Sequence, residues 1–224
     1  MKLMDLHNHS TYSRDGNDTI EDLVANAIKN NLNTFGMTDH NYWLNEDIDK
    51  YIEHINRLKN EYKDKLNILC GVELAIMNPH ANLIPELYDN CDYYIFEHIG
   101  HPNGISFKDF LNYRKKYKKR AGIAHTDIFE ISKNEGIDVP RLMAENDIFW
   151  EINVNYDRVH GYNTHQYWLN LKNDNLLQEK VLNSGVELSV GFDTHLLLDY
   201  DINRIIAAHE FIEKQGFKLV DIKG

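Results

Sequence analysis

Apolar runs at residues 2–6, 34–37, 68–72, 93–96, 121–124 and 187–191 each stop where a histidine, aspartate or glutamate stands. Runs this short, bounded by polar residues, read as buried strands. The stretches between them carry apolar residues at helical spacing. An Asp18-Thr19 start signal precedes an amphipathic helix over residues 20–31, and further helices are expected over 48–63, 83–88, 107–119, 140–145, 167–184 and 202–215. Residues 67–74, 92–96, 122–124 and 148–154 supply the middle strands, and a last short strand is expected at 218–222. Seven β/α units succeed one another without linkers, which favours a parallel barrel or a doubly wound sheet. In a barrel the strand ends converge on one face, so the polar residues at those ends would meet.

Those residues are His7-Asn8-His9, Asp15, Asp39-His40, Glu73, His98, His125 and Asp193-Thr194-His195. The chain has 12 histidines, and a random scatter would leave more of them on helices, where His54 and His209 are expected. His7 and His9 stand two apart on a strand, so their imidazoles share a face and can chelate one ion. Taken alone, the pair reads equally well as two exposed histidines. Glu73 and Asp193 add carboxylates able to bridge two ions and reduce their mutual repulsion. Nine donors of mixed imidazole and carboxylate character are too many for one ion and suit a cluster of two or three, with Zn, Mn or Fe all admitted.

Composition narrows the setting. With 224 residues, 42% hydrophobic and 26% charged, one globular domain over residues 1–224 is expected. The net charge of −11 argues against nucleic acid or an anionic membrane surface as partner. The single basic run, residues 114–120, is expected to be a solvated helix face. Cys70 and Cys91 are too few for a disulfide framework and suit two buried thiols in a reducing cytosol. No basic-then-apolar leader and no run of membrane-spanning length is read, so a cytoplasmic protein is expected.

The motifs Asp5-Leu6-His7-Asn8-His9-Ser10, Ser13-Arg14-Asp15-Gly16, Thr38-Asp39-His40, Gly71-Val72-Glu73, Ala124-His125-Thr126-Asp127 and Gly191-Phe192-Asp193-Thr194-His195 together resemble the polymerase and histidinol phosphatase (PHP) superfamily of metal-dependent phosphoesterases. They stand in the family's order and span nearly the whole chain. The resemblance implies a distorted (β/α)7 barrel with a trinuclear metal site and a metal-activated hydroxide as the nucleophile. It implies that His7, His9, Glu73 and Asp193 hold one ion, Glu73, His98 and His125 a second, and Asp15, His40 and His195 a third. The fourth motif departs from the family, which has a small and an apolar residue before its histidine, where this chain reads Phe96-Glu97-His98-Ile99-Gly100-His101. His98 lies nearer the strand and is the preferred ligand. His101 is the alternative, with Glu97 a supporting acid or an additional ligand. Phe192 stands where the family commonly has Ser, a change that bears on packing more than on ligation.

Three divalent ions set against Asp15, Glu73, Asp193 and a bridging hydroxide would leave about two net positive charges, matched to a phosphate dianion. Asp39 and Asp127 are expected to orient ligand imidazoles or to accept a leaving-group proton. In histidinol phosphatases of this superfamily a similar Glu-Ile-Asn run precedes an arginine, so Glu151 and Arg158 are expected at the substrate, Arg158 as a bidentate phosphate clamp, with His101 nearby. His160, His165, Tyr156 and Tyr162 crowd the same loop. The expected substrate is a small phosphomonoester, histidinol phosphate first, with a sugar phosphate, nucleotide or phosphotyrosine as alternatives. A metal-dependent C–N hydrolase is the alternative from another class, disfavoured because no lysine stands at a matching strand end.

Overall fold

The computed structural model describes residues 1–44, 46–77, 84–155 and 166–223. Seven parallel strands run in chain order: β1 Met4–Asp5, β2 Thr34–Met37, β3 Asn67–Ala75, β4 Tyr93–Glu97, β5 Arg120–Ile123, β6 Ile148–Asn153 and β7 Leu188–Gly191. Leu6 N–H donates to the Val190 carbonyl at 2.9 Å and Asn8 bridges Thr194, which joins the first strand to the last. An unshuffled strand order with joined ends is a distorted (β/α)7 barrel and excludes the doubly wound alternative. The helices are α1 Ile20–Lys29, α2 Asn41–Leu44, α3 Ile48–Tyr62, α4 Phe107–Arg114, α5 Ile128–Glu135, α6 Val139–Glu145, α7 Gln166–Asn173, α8 Asn175–Ser184 and α9 Ile202–Gln215.

The barrel separates two apolar layers. Ile20, Leu23, Val24 and Ala27 of α1 and the matching faces of other helices bury against the outside of the sheet. Inside, Leu6, Leu69, Tyr93, Ile95, Ala124, Phe149, Val220 and Ile222 fill the lower barrel. Tyr93 crosses the interior and donates from its hydroxyl to the Leu6 carbonyl at 2.7 Å. Gly36 and Gly71 leave room for its ring, because a Cβ at either would collide with it. The lower barrel is therefore solid, and only its upper mouth, at the carboxyl ends of the strands, has space for polar chemistry.

Several expected elements end differently, each for a local reason. The helix expected over 107–119 stops at Arg114, whose guanidinium turns back to donate to the carbonyls of Tyr117 and Lys119 at 2.6 and 2.8 Å. The basic run at 114–120 is thus a turn leading into β5, not a helix face. The helix expected over 167–184 breaks at Asp174, whose carboxylate accepts from the N–H groups of Leu176 and Leu177 and starts α8. Asp127 does the same for α5, a helix the periodicity did not reveal. Residues 83–88 reduce to a 3-10 turn at Pro85–Tyr88. Residues 218–222 form no strand; Leu219 makes a single bridge to Leu188, while Val220 and Ile222 close the bottom of the barrel. Cys70 and Cys91 are buried free thiols. No helix among the described residues is long and apolar enough to cross a membrane.

Candidate metal centre

His7 and His9 leave the end of β1 with their Nε2 atoms 3.0 Å apart. Glu73 Oε1 lies 3.4 Å from His7 Nε2, and Glu73 Oε2 lies 3.4 Å from His9 Nε2. Asp193 Oδ1, beyond β7, lies 3.3 and 3.2 Å from the same two nitrogens. An ion bonded tetrahedrally to N and O donors at about 2.0–2.2 Å spaces them by about 3.3–3.6 Å, so these four side chains stand close to the edges of one coordination polyhedron. Glu73 Oε1 also lies 3.0 Å from His125 Nε2, and Glu73 Oε2 lies 3.1 Å from His40 Nδ1. His40 Nε2 and His195 Nε2 flank Asp15 Oδ2 at 3.4 and 3.7 Å. Among the described residues four overlapping groups result: His9, Asp15, His40 and His195; His7, His125 and Asp193; His7, His9 and Glu73; His40, Glu73 and Glu97.

The donors fit cations better than they fit one another. Asp15 Oδ1, His40 Nδ1, Glu73 Oε2 and Glu97 Oε1 are buried and form no hydrogen bond in the structure. Unpaired buried polar atoms cost about 1–3 kcal/mol each, which an ion at their common focus would offset. The backbone is strained at the same place. His98, His125 and Asp193 follow β4, β5 and β7 at φ of 67°, 24° and 58°, a region non-glycine residues avoid.

A surrounding layer fixes the donors. Glu151, on β6, accepts from His7 Nδ1 at 2.7 Å, which turns His7 Nε2 toward the centre. Its other oxygen accepts from the His125 backbone N–H at 2.7 Å and from Asn153 Nδ2 at 3.2 Å. Glu151, expected at the substrate, is 1% exposed with both oxygens engaged by the protein. A side chain at Gly191 would meet its carboxylate and His7 Cβ. Asn8 bonds the Gly36 carbonyl and Thr194 Oγ1, locking the ends of β1, β2 and β7 together. Asp39 accepts from Ser10 N, Ser10 Oγ and Ser13 N at 2.8–2.9 Å, so it shapes the loop that carries Asp15 and not an imidazole. Asp127 likewise caps α5, through its Oδ1. Glu151→Gln keeps the shape and removes the anion that orients His7. Metal affinity is expected to fall ~10–100-fold, read by competition with a chromophoric chelator; unchanged affinity would refute this role.

The charges are mutually dependent. Burial opposes charge on His7, yet Asp193, Glu151 and Glu73 outweigh it and raise its pKa well above the usual histidine range. His40 is raised in the same way, by Glu73 and Asp15 against its burial. His125, half-buried, is pushed up to about 9 by Glu73 against the cost of desolvation. His9 goes the other way, to about 3, through burial and the neighbouring His195 and His40. Glu73 and Asp193 are held well below the carboxylate range because His7 and its neighbours overcome their burial. Between the ordinary histidine value of 6.5 and about 9, the metal-free fold keeps protons on His7, His40 and His125 that the unfolded chain has released. Stability then falls as pH rises through that window, since the folded state binds more protons. Thermal unfolding in excess chelator is expected to show a lower midpoint at about pH 9 than at about pH 6, and a higher one would contradict this balance.

Of the expected donors, His98 stands apart from the four groups. Its side chain is 30% exposed, and its Nε2 contacts Glu97 Oε2 at 2.9 Å. His101 is exposed, with Nδ1 accepting from Asn103 N–H at 3.2 Å. Both line a cavity of ≈ 400 Å³ that opens beside His125 and is bordered by Asp127 and Glu130. Arg158, His160, His165, Tyr156 and Tyr162 lie outside the described residues. Residues 5–196 match the PHP domain. The chain belongs to the PHP family.

This PHP protein is 26% identical to a histidinol-phosphatase of Lactococcus lactis subsp. lactis (strain IL1403), over 97% of this chain and 93% of the relative. It is 22% identical to a probable histidinol-phosphatase of Schizosaccharomyces pombe, over 84% of this chain and 79% of the relative. The crystal structure of the Lactococcus lactis histidinol phosphate phosphatase, complexed with zinc, L-histidinol and phosphate, superposes with a TM-score of 0.69 at 20% identity, covering 100% of this chain and 99% of that one. The distorted (β/α)7 barrel that the motif resemblance implied is thus the fold of this chain. Sequence reading overlooked the part Glu151 plays in holding His7. A carboxylate in an otherwise apolar, buried strand was the available signal, because such a charge persists only when paired.

Proposed function

We propose that this PHP protein hydrolyses a small phosphomonoester, histidinol phosphate, with three divalent ions of Zn, Mn or Fe in a single cytoplasmic domain. The observation that carries the reading is the arrangement of His7, His9, Glu73 and Asp193 at ion-ligand spacing, with Glu73 reaching on to His125 and His40. The first four would hold one ion, Glu73 and His125 a second, and Asp15, His40 and His195 a third. Bound ions of this kind neutralise phosphate charge and acidify the water that attacks phosphorus. Glu151 keeps His7 in its donor tautomer, and Asp39 keeps Asp15 in reach of His40 and His195. Reaction breaks the bond between phosphorus and the ester oxygen as the bond to the water oxygen forms. The ester oxygen takes up a proton and departs as an alcohol.

The cavity beside His125 supports this choice of leaving group. In the ≈ 400 Å³ cavity, the Asp127 and Glu130 carboxylates suit a primary ammonium, and the His98 and His101 rings suit an imidazole. A larger cavity of ≈ 620 Å³, lined by Phe129, Arg141 and Lys180 among others, includes none of the donors. The Lactococcus relative supports the same substrate. Buried, unbridged Cys70 and Cys91 fit the cytoplasm.

Phosphate release from histidinol phosphate, a sugar phosphate, a nucleotide and phosphotyrosine tests the reading on protein of assayed metal content. Histidinol phosphate is expected to be turned over best. Arg158→Ala is expected to lower kcat/KM ~10–100-fold, the loss of one charge-assisted phosphate contact worth about 1.5–3 kcal/mol. Metal-loaded protein inert toward the whole panel would overturn the monoesterase reading.

A further inference from the structure

We propose that Glu97, and neither His98 nor His101, is the metal ligand delivered by the fourth strand, so that the centre carries one more carboxylate than the family pattern implies. The inference rests on the metal centre described above. Its first support is the pleat. Alternate residues of a strand face the same side, and Tyr93 and Ile95 of β4 belong to the inner apolar layer while Tyr94 and Phe96 pack outside. Glu97 therefore points into the barrel mouth. Strands β3 and β6 repeat the arrangement, with Leu69 below Glu73 and Phe149 below Glu151. Glu73 is the hub of the centre and Glu151 is committed to His7 and His125, which leaves Glu97 as the third inward acid, with no task yet given.

Its second support is an unpaired atom. Glu97 is 5% exposed, and its Oε1 accepts no hydrogen bond. That oxygen lies 3.5 Å from His40 Nδ1, and His40 Nδ1 lies 3.1 Å from Glu73 Oε2, contacts of opposite charge in which none of the three atoms forms a hydrogen bond. Three ligand atoms from β3, β4 and the end of β2 thus converge without a hydrogen bond among them. Glu97 Oε2 lies 3.9 Å from His125 Nε2 and 2.9 Å from His98 Nε2. His98 consequently holds the Glu97 carboxylate from outside, reaching it through its left-handed backbone turn. A fourth carboxylate lowers the net charge of the loaded centre to about one positive and makes its donor set harder, favouring Mn or Fe over Zn relative to an imidazole-richer site.

Metal content of desalted protein, Mn²⁺ affinity, and the visible spectrum of the Co²⁺-substituted form test the assignment without reference to activity. Glu97→Gln is expected to weaken one ion by at least ~100-fold, beyond the loss of an outer partner, and so to lose it on desalting. Glu97→Asp is expected to regain part of that binding, because it restores the charge. His98→Ala and His101→Ala are expected to keep the full complement. Retention of every ion by Glu97→Gln with an unchanged Co²⁺ spectrum, or loss of an ion by either histidine variant while Glu97→Gln keeps it, would overturn the proposal. Unfolding of the metal-free variants controls for folding, and a misfolded Glu97→Gln leaves Glu97→Asp against His98→Ala to decide. If the parent protein loads metal but hydrolyses no phosphate in the panel, the functional reading falls while the metal counts still judge Glu97.

Discussion

Glu73→Gln is expected to cost at least ~10³ in kcat/KM toward histidinol phosphate, because several kcal/mol of charge stabilisation disappear with the ions and each 1.36 kcal/mol is tenfold. Glu73 is 1% exposed and stands between four imidazoles: His7 and His125 at one oxygen, His9 and His40 at the other. The amide keeps the volume but removes the negative charge and turns N–H donors toward ring nitrogens that need an anion or a cation between them. More than one ion should therefore be lost together. Atomic emission on the desalted variant should find less metal than any single histidine replacement leaves. Full metal occupancy with kcat/KM within about tenfold of the parent would refute the hub assignment.

Exhaustive chelation is expected to abolish phosphate release and to lower the unfolding midpoint at neutral pH, both reversed by Zn²⁺, Mn²⁺ or Fe²⁺. The physical ground is that the centre concentrates three carboxylates, Glu73, Asp193 and Glu97, at 5% exposure or less, together with His7, His9, His40 and His195. Without cations they must share protons, which compensates poorly for lost hydration. Because ions bind the assembled site and not the unfolded chain, their binding energy adds to folding stability. Activity that survives in metal-free protein, or a midpoint indifferent to metal, would show that these residues are a structural polar network.

Sequence and structure differ most where side chains must be aimed. The strands at 34–37 and 93–96 and the helix at 202–215 were legible because packing against a continuous core imposes a period on the sequence. Helix α5 was not, since its start depends on the Asp127 cap and its apolar positions are few. The expected strand at 218–222 failed because its apolar residues turn inward to plug the barrel floor and do not pair along an edge. At the site, His7, His9, Asp15, His40, Glu73, His125, Asp193 and His195, all named from the sequence, fall within the clustered groups, whereas His98 does not.

By itself the sequence determined the alternation of strands and helices, the delivery of donors to one rim, and the family these motifs mark. All of these are properties of local order along the chain. Tertiary structure alone decided which donor meets which. Glu151 lies 144 residues from the His7 it orients, and no local pattern records a contact of that reach. It also set Glu97 inside the mouth and His98 at its rim, adjacent residues separated by the pleat of β4. Local periodicity specifies faces; only closure of the barrel turns faces into a centre, because the distances that matter to an ion run across the barrel and not along the chain.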